Sequence, residues 1–275
     1  MIIEAWLREN IAQLKLAGVE TSRLDCLVLL SDEIGRDKSW VLAHPEYELQ
    51  IEKLNILSTK IVQRAQHTPL AYIRGKSEFY GRDFIVNADV LVPRPESEDM
   101  IDILRQIADY QQPPTIYDIG TGSGALASTA KLELPKSTVF ATDIDPACLR
   151  VAKNNAERLG AQVTFLLGDL LEPVRKMKVT SLSLIILANL PYVPTNYPVN
   201  LAATQEPKHA LYSGADGLDH YRRLFAGLKG LPTPPEYLIT ESLLNQHEAL
   251  AKIANKHSYT PTTTNGLVQL FSRSM

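Results

Sequence analysis

The residues that offer the most chemistry are the four at positions 189–192, Asn-Leu-Pro-Tyr, which directly follow the apolar run Leu184–Ala188. Such a run is typical of a buried parallel strand, and open α/β sheets bind ligands at the carboxyl ends of their strands. Asn189 supplies an amide, and Tyr192 supplies a flat ring. The proline after Leu190 disfavours αR there, so the Leu190 carbonyl is expected to face the cleft. Two acceptors beside a stacking face predict a site for a planar group that carries an NH2.

A second motif lies at positions 118–124, Asp-Ile-Gly-Thr-Gly-Ser-Gly, after a strand-like stretch at 115–117. Its alternate glycines bring the backbone close to a ligand because no Cβ intervenes. The next predicted strand ends at Asp143, whose carboxylate is placed to accept hydrogen bonds from both hydroxyls of a ribose. Asp145 competes for this role but is better placed to cap the helix from Pro146. Read alone, the tetrapeptide is equally typical of a strand-ending turn, and this second motif favours a ligand site.

The glycine spacing bears on the identity of the cofactor without settling it. Dinucleotide sites use G-x-G-x-x-G to seat a pyrophosphate, whereas this loop reads G-x-G-x-G. S-adenosylmethionine has no phosphate and carries a sulfonium cation, so an acidic, glycine-rich edge fits it better. Asp118 is a candidate partner for its amino group. Asp169, after a third predicted strand at 163–167, is placed to reach its adenine, although a turn or cap is the simpler role for Asp169 alone.

Composition agrees with a soluble enzyme. The 275 residues, 45% of them hydrophobic and 21% charged, suit a chain of more than one domain with a sizeable core. A net charge of −3 and a pI of about 6.1 indicate no basic field that would attract nucleic acid. Cys26 and Cys148 are too far apart for a metal motif, and no metal is expected. Because the sequence has neither a long apolar stretch nor a leader-like start, a cytoplasmic protein without a membrane partner is expected.

The chain changes character once along its length. Residues 1–66 show helical periodicity, and predict a helical domain that either stabilises the fold or docks a macromolecular substrate. Residues 67–97 predict a connector that contains a hairpin and a proline-rich end. Ser97 is predicted to cap a helix at 98–109, which makes a stiff linker the simplest local interpretation. From 98 to 275 strands and helices alternate, which indicates an α/β domain with a doubly wound, mostly parallel sheet.

Further short motifs occur in a fixed order along nearly the whole chain. They are Arg-Leu-Asp at 23–25, Leu-Ala-His-Pro-Glu at 42–46, Pro-Leu-Ala-Tyr-Ile-Arg-Gly at 69–75, Glu-Phe-Tyr-Gly at 78–81, Pro-Arg-Pro-Glu-Ser-Glu at 93–98, Glu-Pro at 206–207 and Asp-Gly-Leu at 216–218. Together with the glycine loop and the tetrapeptide, this set resembles the protein-glutamine N5-methyltransferases that modify peptide-chain release factors, the HemK/PrmC family.

The resemblance implies a class I S-adenosylmethionine-dependent methyltransferase fold with an N-terminal helical domain that helps to bind the release factor. It also implies methyl transfer to the glutamine of a Gly-Gly-Gln loop. Together with Asp118, the cofactor contacts carried onto this chain are Gly120, Thr121, Gly122, Ser123, Gly124, Asp143, Asp169, Leu170 and Asn189. The catalytic and substrate-binding positions are Asn189, Leu190, Pro191 and Tyr192, and the predicted substrate site also includes Arg94 and Pro95.

The chemistry of these residue types suits an amide substrate. An amide nitrogen is a poor nucleophile because its lone pair is delocalised into the carbonyl. We hypothesise that the Asn189 side-chain oxygen and the Leu190 carbonyl accept the two substrate N–H groups while Tyr192 stacks on the amide plane. Catalysis would then rest on orientation and electrostatics, without a general base.

The chain departs from the family pattern in three places. Leu190 stands where the family usually has proline, which leaves the loop less preorganised and similar to that of ribosomal-RNA adenine dimethyltransferases. Ser97 replaces the usual threonine and keeps the hydroxyl. The strand pair at 237–241 and 266–273 lacks the usual Asp and Arg, and we expect this to affect the sheet edge more than the chemistry. Two alternatives stay open: an N6-adenine methyltransferase acting on RNA or DNA, and a non-catalytic protein that binds release factors or the ribosome.

Overall fold

A computed structural model describes residues 1–109, 111–177 and 183–274 of the chain. The chain divides into two compact units, of which the first contains Met1–Lys76 and Val199–Gln205, and the second contains Ser77–Pro198 and Glu206–Met275. Positions 110, 178–182 and 275 of the predicted catalytic domain lie outside the described residues. None of the helices in the described ranges has the length and apolar character that crossing a membrane requires.

The first unit is helical, as the periodicity of residues 1–66 predicts. Its helices are α1 (Ile3–Leu16), α2 (Ser22–Ile34), α3 (Lys38–Ala43), α4 (Ile51–Ala65) and α5 (Leu70–Arg74). Helix α2 ends at Gly35, which has the left-handed conformation that favours glycine at this position. Trp6, Leu29 and Leu57 are buried in a common core to which the apolar faces of α1, α2 and α4 contribute.

A buried ion pair joins two helices of this unit. The Nε of Arg64 in α4 lies 2.6 Å from Oδ2 of Asp25 in α2, and both side chains are buried. The Thr21 hydroxyl also donates to Oδ2, at 2.9 Å, and Nη1 of Arg64 donates to the Thr68 carbonyl at 3.2 Å. Since both charges have left water, each depends on the other for compensation.

The second unit opens with the predicted hairpin and continues with alternating strands and helices. Its strands are β1 (Lys76–Phe79), β2 (Arg82–Ile85), β3 (Thr115–Ile119), β4 (Thr138–Asp143), β5 (Val163–Leu167), β6 (Leu184–Ala188), β7 (Tyr237–Glu241), β8 (Tyr259–Asn265) and β9 (Val268–Arg273). Its helices are α6 (Glu98–Ile107), α7 (Ala125–Glu133), α8 (Pro146–Leu159), α9 (Glu172–Met177), α10 (Lys208–Leu211), α11 (Asp219–Gly227) and α12 (His247–Asn255).

Seven strands form one sheet in the order β5-β4-β3-β6-β7-β9-β8. The first five pair in parallel, and β9 runs antiparallel to both of its neighbours. Strands β3 and β6 are buried at every position because apolar clusters cover both faces of the sheet. The chain order reverses between β3 and β6, so a crevice opens at their carboxyl ends. This topology confirms the predicted doubly wound, mostly parallel sheet.

We expect Asp25→Asn to lower the free energy of unfolding of the helical unit by about 3 kcal/mol or more, because it leaves the Arg64 guanidinium buried without a carboxylate. Both tryptophans of the chain, Trp6 and Trp40, lie in this unit, so their fluorescence during urea unfolding reports on it. The matched control is Asp32→Asn, which breaks an exposed pair with Arg74 and should cost less than about 1 kcal/mol. Equal losses in the two variants would contradict the role given to burial.

Candidate active site

Three parallel strands bring the predicted site residues to one edge of the sheet. Strand β6 lies between β3 and β7, with Leu187 paired to Asp118 and Ala188 paired to Thr240. The glycine loop after β3, Asn189 after β6 and Glu241 at the end of β7 are therefore neighbours. This is the edge at which open α/β sheets bind ligands.

The loop after β3 is tied to the carboxylate that ends β4. The Asp145 N–H donates to Oδ1 of Asp143 at 3.0 Å, and the Gly122 N–H donates to Oδ2 at 2.9 Å. Burial raises the pKa of Asp143, and these two N–H groups oppose that shift. The carboxylate thus lies at the strand end, as the sequence predicts, and both of its oxygens are fixed by backbone.

Asp145 caps helix α8, as predicted, by accepting the Ala147 N–H at 2.7 Å. Its side chain also forms a group of metal-ligand types with Cys148 and His209, whose ligand atoms lie within 4.8 Å of one another. The Cys148 thiol donates to the Asp89 carbonyl at 3.2 Å, and burial raises its pKa to about 12. The expectation of no metal therefore stays a prediction.

Asp118 is buried beneath the glycine loop. Its Oδ2 accepts the Thr121 hydroxyl at 2.6 Å and the Ala127 N–H at 3.1 Å. Its Oδ1 has no hydrogen-bond partner within the part of the chain that the structure describes. Burial is the main cause that raises its pKa from 3.8 to about 7. Asp118 therefore orders the loop from below through one oxygen.

A cavity of about 140 Å³ lies where the loops after β3, β4, β5 and β6 converge. The predicted cofactor residues that line it are Gly120, Gly122, Asp143, Asp169, Leu170 and Asn189, and the tetrapeptide adds Leu190 and Pro191. The predicted cofactor residues absent from its described lining are Asp118, Thr121, Ser123 and Gly124. Carboxylates beside the apolar side chains of Ile144 and Leu170 suit a ligand that is both cationic and partly apolar.

The turn after β5 contributes an ion pair and a strained residue to this cavity. The Asp169 carboxylate accepts from the guanidinium of Arg223 in α11. Leu170 has a φ of +46°, a region that is costly for leucine. Its carbonyl accepts the Thr142 hydroxyl at 3.0 Å, which holds the turn against β4. Asp169 thus lines the cavity, but its carboxylate already has a partner that the sequence did not suggest.

A second cavity, of about 60 Å³, adjoins the first. Its lining includes the predicted residues Arg94, Thr121 and Ser123 together with Ser97. The residues that line both cavities are Leu91, Gly120, Gly122 and Asn189. Asn189 therefore lies at the junction, where a group bound in one cavity meets a group bound in the other.

The connector reaches the second cavity through Arg94. Its guanidinium donates to one carboxylate oxygen of Glu206, which is buried. The other oxygen accepts the Val92 N–H at 3.1 Å. Pro95 begins a short 3₁₀ helix, Pro95–Ser97, and does not line either cavity among the described residues. Arg94 is thus brought to the site, and Pro95 shapes the backbone behind it.

Ser97 occupies the N-cap position of α6, as predicted, but the expected capping role of its side chain is wrong, because that side chain makes no capping hydrogen bond. The Ser97 hydroxyl instead donates to Oε2 of Glu241 at 2.5 Å. Nδ2 of Asn189 donates to both of these partners, at 2.8 Å to Ser97 Oγ and 3.1 Å to Glu241 Oε2. Since the amide nitrogen is held by two acceptors, the amide oxygen of Asn189 is the atom left to bind a ligand.

Hydrogen bonds hold both the side chain and the backbone of Tyr192. Its hydroxyl donates to Oε1 of Glu241 at 2.9 Å, and its carbonyl accepts Nε2 of Gln246 at 2.8 Å. Gln246 also donates to the Asp216 carbonyl at 2.7 Å. A Cβ on Gly217, which has a φ of +80°, would lie 2.1 Å from the Tyr192 carbonyl oxygen, so only glycine fits there. Burial and then the Glu241 charge raise the pKa of Tyr192, which stays protonated.

Leu190, the departure from the family pattern, packs inward. Its side chain is buried, and its Cδ2 atom would lie 2.9 Å from a Cβ on Gly120, which has a φ of +76°. Its backbone also forms a hydrogen bond with the Tyr221 hydroxyl. That hydroxyl lies 3.0 Å from the Ala188 carbonyl and 2.5 Å from the Glu241 carbonyl. Leu190 therefore joins the tetrapeptide to the glycine loop through packing.

The sequence interpretation missed Glu241, Gln246 and Tyr221. It expected the strand at 237–241 to concern the sheet edge, which is wrong because β7 lies between β6 and β9 and β8 forms that edge. A signal was available, since Glu241 ends an apolar run in the way that Asp143 and Asn189 do. Tyr221 and the adjacent Arg222 match the family pattern, but that match assigns Tyr221 no role, and no comparable local signal marks Gln246.

Comparison with known proteins agrees with this geometry. The family described as "PrmC N-terminal domain" matches residues 5–75, and the family described as "Methyltransferase domain" matches residues 116–211. The chain is 39% identical over 258 residues to a release factor glutamine methyltransferase of Moorella thermoacetica, covering 92% of this chain and 90% of that protein. It is 38% identical over 214 residues to the enzyme of that name from Bacillus subtilis, covering 75% and 73%.

Solved structures share the fold at low sequence identity. The hMettl16 catalytic domain, solved in complex with MAT2A 3'UTR hairpin 1, superposes with a TM-score of 0.55 at 14% identity over 84% of this chain and 83% of that one. A methyltransferase from Pyrococcus furiosus gives 0.50 at 17% identity over 82% and 98%. At these identities the likeness shows the methyltransferase fold alone.

We expect the free energy of unfolding of Asp118→Asn to rise relative to that of the wild type as the pH increases from about 4 to 7. The folded state keeps a proton on Asp118 up to a pH of about 7, whereas the unfolded state releases it near the ordinary pKa of 3.8. Wild-type stability therefore falls across this interval, by an amount on the order of 4 kcal/mol, while the uncharged variant does not share the loss. Urea unfolding followed by circular dichroism at several pH values measures this difference. A difference that stays constant with pH would contradict the assignment.

Proposed function

The chain belongs to the family of release factor glutamine methyltransferases, and from that premise we propose that it methylates the glutamine of the Gly-Gly-Gln loop in peptide-chain release factors. The methyl donor is S-adenosylmethionine, and the acceptor is the side-chain amide nitrogen of that glutamine. The observation that carries the proposal is the placement of Asn189 at the junction of two cavities, with its amide nitrogen held from behind.

The first cavity suits the methyl donor. Asp143 presents a carboxylate whose oxygens are fixed by backbone N–H groups, at the position from which it would bind the ribose hydroxyls. Gly120 and Gly122 bring backbone to the lining, and Leu170 offers an apolar side chain beside Asp169 for the adenine. When bound, S-adenosylmethionine supplies a sulfonium methyl group whose C–S bond breaks as the amide nitrogen forms the new C–N bond, leaving a thioether.

The acceptor amide is assigned to the second cavity, which Asn189 lines, and to the adjoining tetrapeptide, of which Leu190 and Pro191 line the first cavity and Tyr192 lines neither. The Asn189 side-chain oxygen and the Leu190 carbonyl accept the two N–H groups of the substrate glutamine, and Tyr192 stacks on the amide plane. These contacts hold the nitrogen in line with the methyl group, so orientation supplies most of the catalysis. One amide proton leaves to water after transfer. Arg94, held by Glu206, lines the approach to this site together with the turn that Pro95 begins.

We further propose that residues 1–66 dock the release factor, that residues 67–97 connect this domain to the site, and that residues 98–275 carry out catalysis. The match of residues 5–75 to the N-terminal domain of the family supports this division. Because release factors act on ribosomes, we place the protein in the cytoplasm.

Transfer of labelled methyl from S-adenosylmethionine to a purified release factor tests the proposal. We expect label on the wild-type factor, none on a variant whose loop reads Gly-Gly-Ala, and none on bulk RNA, with mass spectrometry placing the methyl group on the glutamine. Label on RNA alone would favour an adenine methyltransferase. Cofactor binding without transfer to any of the three acceptors would refute release-factor methylation, and failure to bind the cofactor would favour a non-catalytic protein.

We expect Asn189→Ala to lower kcat by about a hundredfold or more, because it removes an acceptor that orients the substrate amide. The dissociation constant for S-adenosylmethionine should change far less, since Asn189 is one of many residues that line the cofactor cavity. Steady-state kinetics and calorimetric titration measure the two quantities. Asn245→Ala, which alters an exposed asparagine after β7, is the matched control and should leave both unchanged. Equal losses of turnover and of cofactor affinity would count against the proposed role.

A further inference from the structure

Glu241 is a buried carboxylate that three polar side chains, those of Ser97, Asn189 and Tyr192, share. It is 1% exposed, and it receives three hydrogen bonds, from Ser97 and Asn189 on Oε2 and from Tyr192 on Oε1. The three donors are neutral, and they come from two parts of the chain, the connector and the loop after β6. Two of them belong to the tetrapeptide that we place against the substrate amide.

We propose that Glu241 is a positioning residue for methyl transfer, because its charge fixes the amide of Asn189 with the oxygen facing the acceptor cavity. This inference rests on the proposed function. It adds a residue that the sequence interpretation did not assign to the site. Glu241 takes no proton and forms no bond during the reaction.

The orientation of the Asn189 amide follows from which atoms have hydrogens to donate. The Ser97 hydroxyl uses its hydrogen on Glu241 Oε2, so it presents only lone pairs to Asn189. Glu241 accepts three hydrogen bonds on its two oxygens, the pattern of an ionised carboxylate, which has no hydrogen to offer. A flipped Asn189 would therefore place its oxygen against two acceptors in a buried site, which is strongly unfavourable. The hydrogen bonds among Ser97, Asn189 and Glu241 form only when Nδ2 of Asn189 faces Glu241.

This orientation determines what the site can accept. An amide oxygen that faces the cavity binds an N–H donor, such as the NH2 of a glutamine, and repels a carbonyl or carboxylate oxygen. A hydrogen bond to a carboxylate also polarises the Asn189 amide, which makes its oxygen a stronger acceptor. As the substrate nitrogen gains a fourth substituent, it becomes positively charged, and the polarised oxygen and the nearby anion favour that charge.

Glu241→Gln tests the role, because a glutamine keeps the shape of the side chain and brings an NH2 that allows Asn189 to flip. We expect kcat for methylation of the release factor to fall about a hundredfold, with the KM for S-adenosylmethionine changed by less than about twofold. We also expect the thermal unfolding midpoint to stay the same or rise, since the variant no longer buries a charge. Glu236→Gln, at the exposed end of the same stretch, is the matched control and should match the wild type in all three measurements.

Two variants of Ser97 give an independent readout. Ser97→Thr keeps the hydroxyl that holds the Asn189 amide and should retain most of the turnover, whereas Ser97→Ala should lose it in the same kcat-specific way as Glu241→Gln. A Glu241→Gln enzyme that turns over like the wild type would overturn the inference while the proposed function stands. If Glu241→Gln lowered both kcat and the thermal unfolding midpoint, Glu241 would have a structural role, and the inference would be overturned as well. Absence of transfer by the wild type itself would refute the proposed function, and this role with it.

Discussion

Parallel pairing of β3, β6 and β7 is the constraint on which the site depends. Because the three strands run in one direction and in register, the residue that follows each of them arrives at the same edge of the sheet. Asn189 and Glu241 are 52 residues apart in the sequence, and the glycine loop at 118–124 is farther from either of them, yet all three are neighbours in space. A site assembled in this way needs few long side chains, since the strand ends already place the short ones within hydrogen-bond distance.

The sequence predicts those site features that depend on a residue's immediate neighbours along the chain. Asp143 and Asn189 could be placed at strand ends because each follows an apolar run, and Asp145 could be placed as a cap because Pro146 follows it. Ser97 was misjudged because a carboxylate 144 residues away competes for the hydroxyl that local reasoning gives to the helix. Asp169 likewise finds Arg223, 54 residues away, and no local pattern reports such a pairing.

Three buried carboxylates near the cofactor loop and the acceptor loop carry raised pKa values because burial disfavours their charge: Asp118, Asp143 and Glu241. Their hydrogen bonds come from neutral N–H and O–H groups. Concentrating acids in this way costs folding free energy, and the cost is consistent with a site that binds a cation. Of the three, Asp143 lines the cofactor cavity, so a cationic ligand bound there would offset part of the cost and stabilise the folded protein.

The segment Val199–Gln205 belongs to the helical unit, although the residues before and after it in the sequence belong to the second unit. It begins seven residues after Tyr192. The backbone therefore crosses between the units three times rather than once. A single proteolytic cut after Lys76 would separate the five helices from this segment and leave it attached to the other fragment. The helical unit is consequently not a module that one cleavage can excise intact, because the fragment that ends at Lys76 lacks the packing contributed by Val199–Gln205.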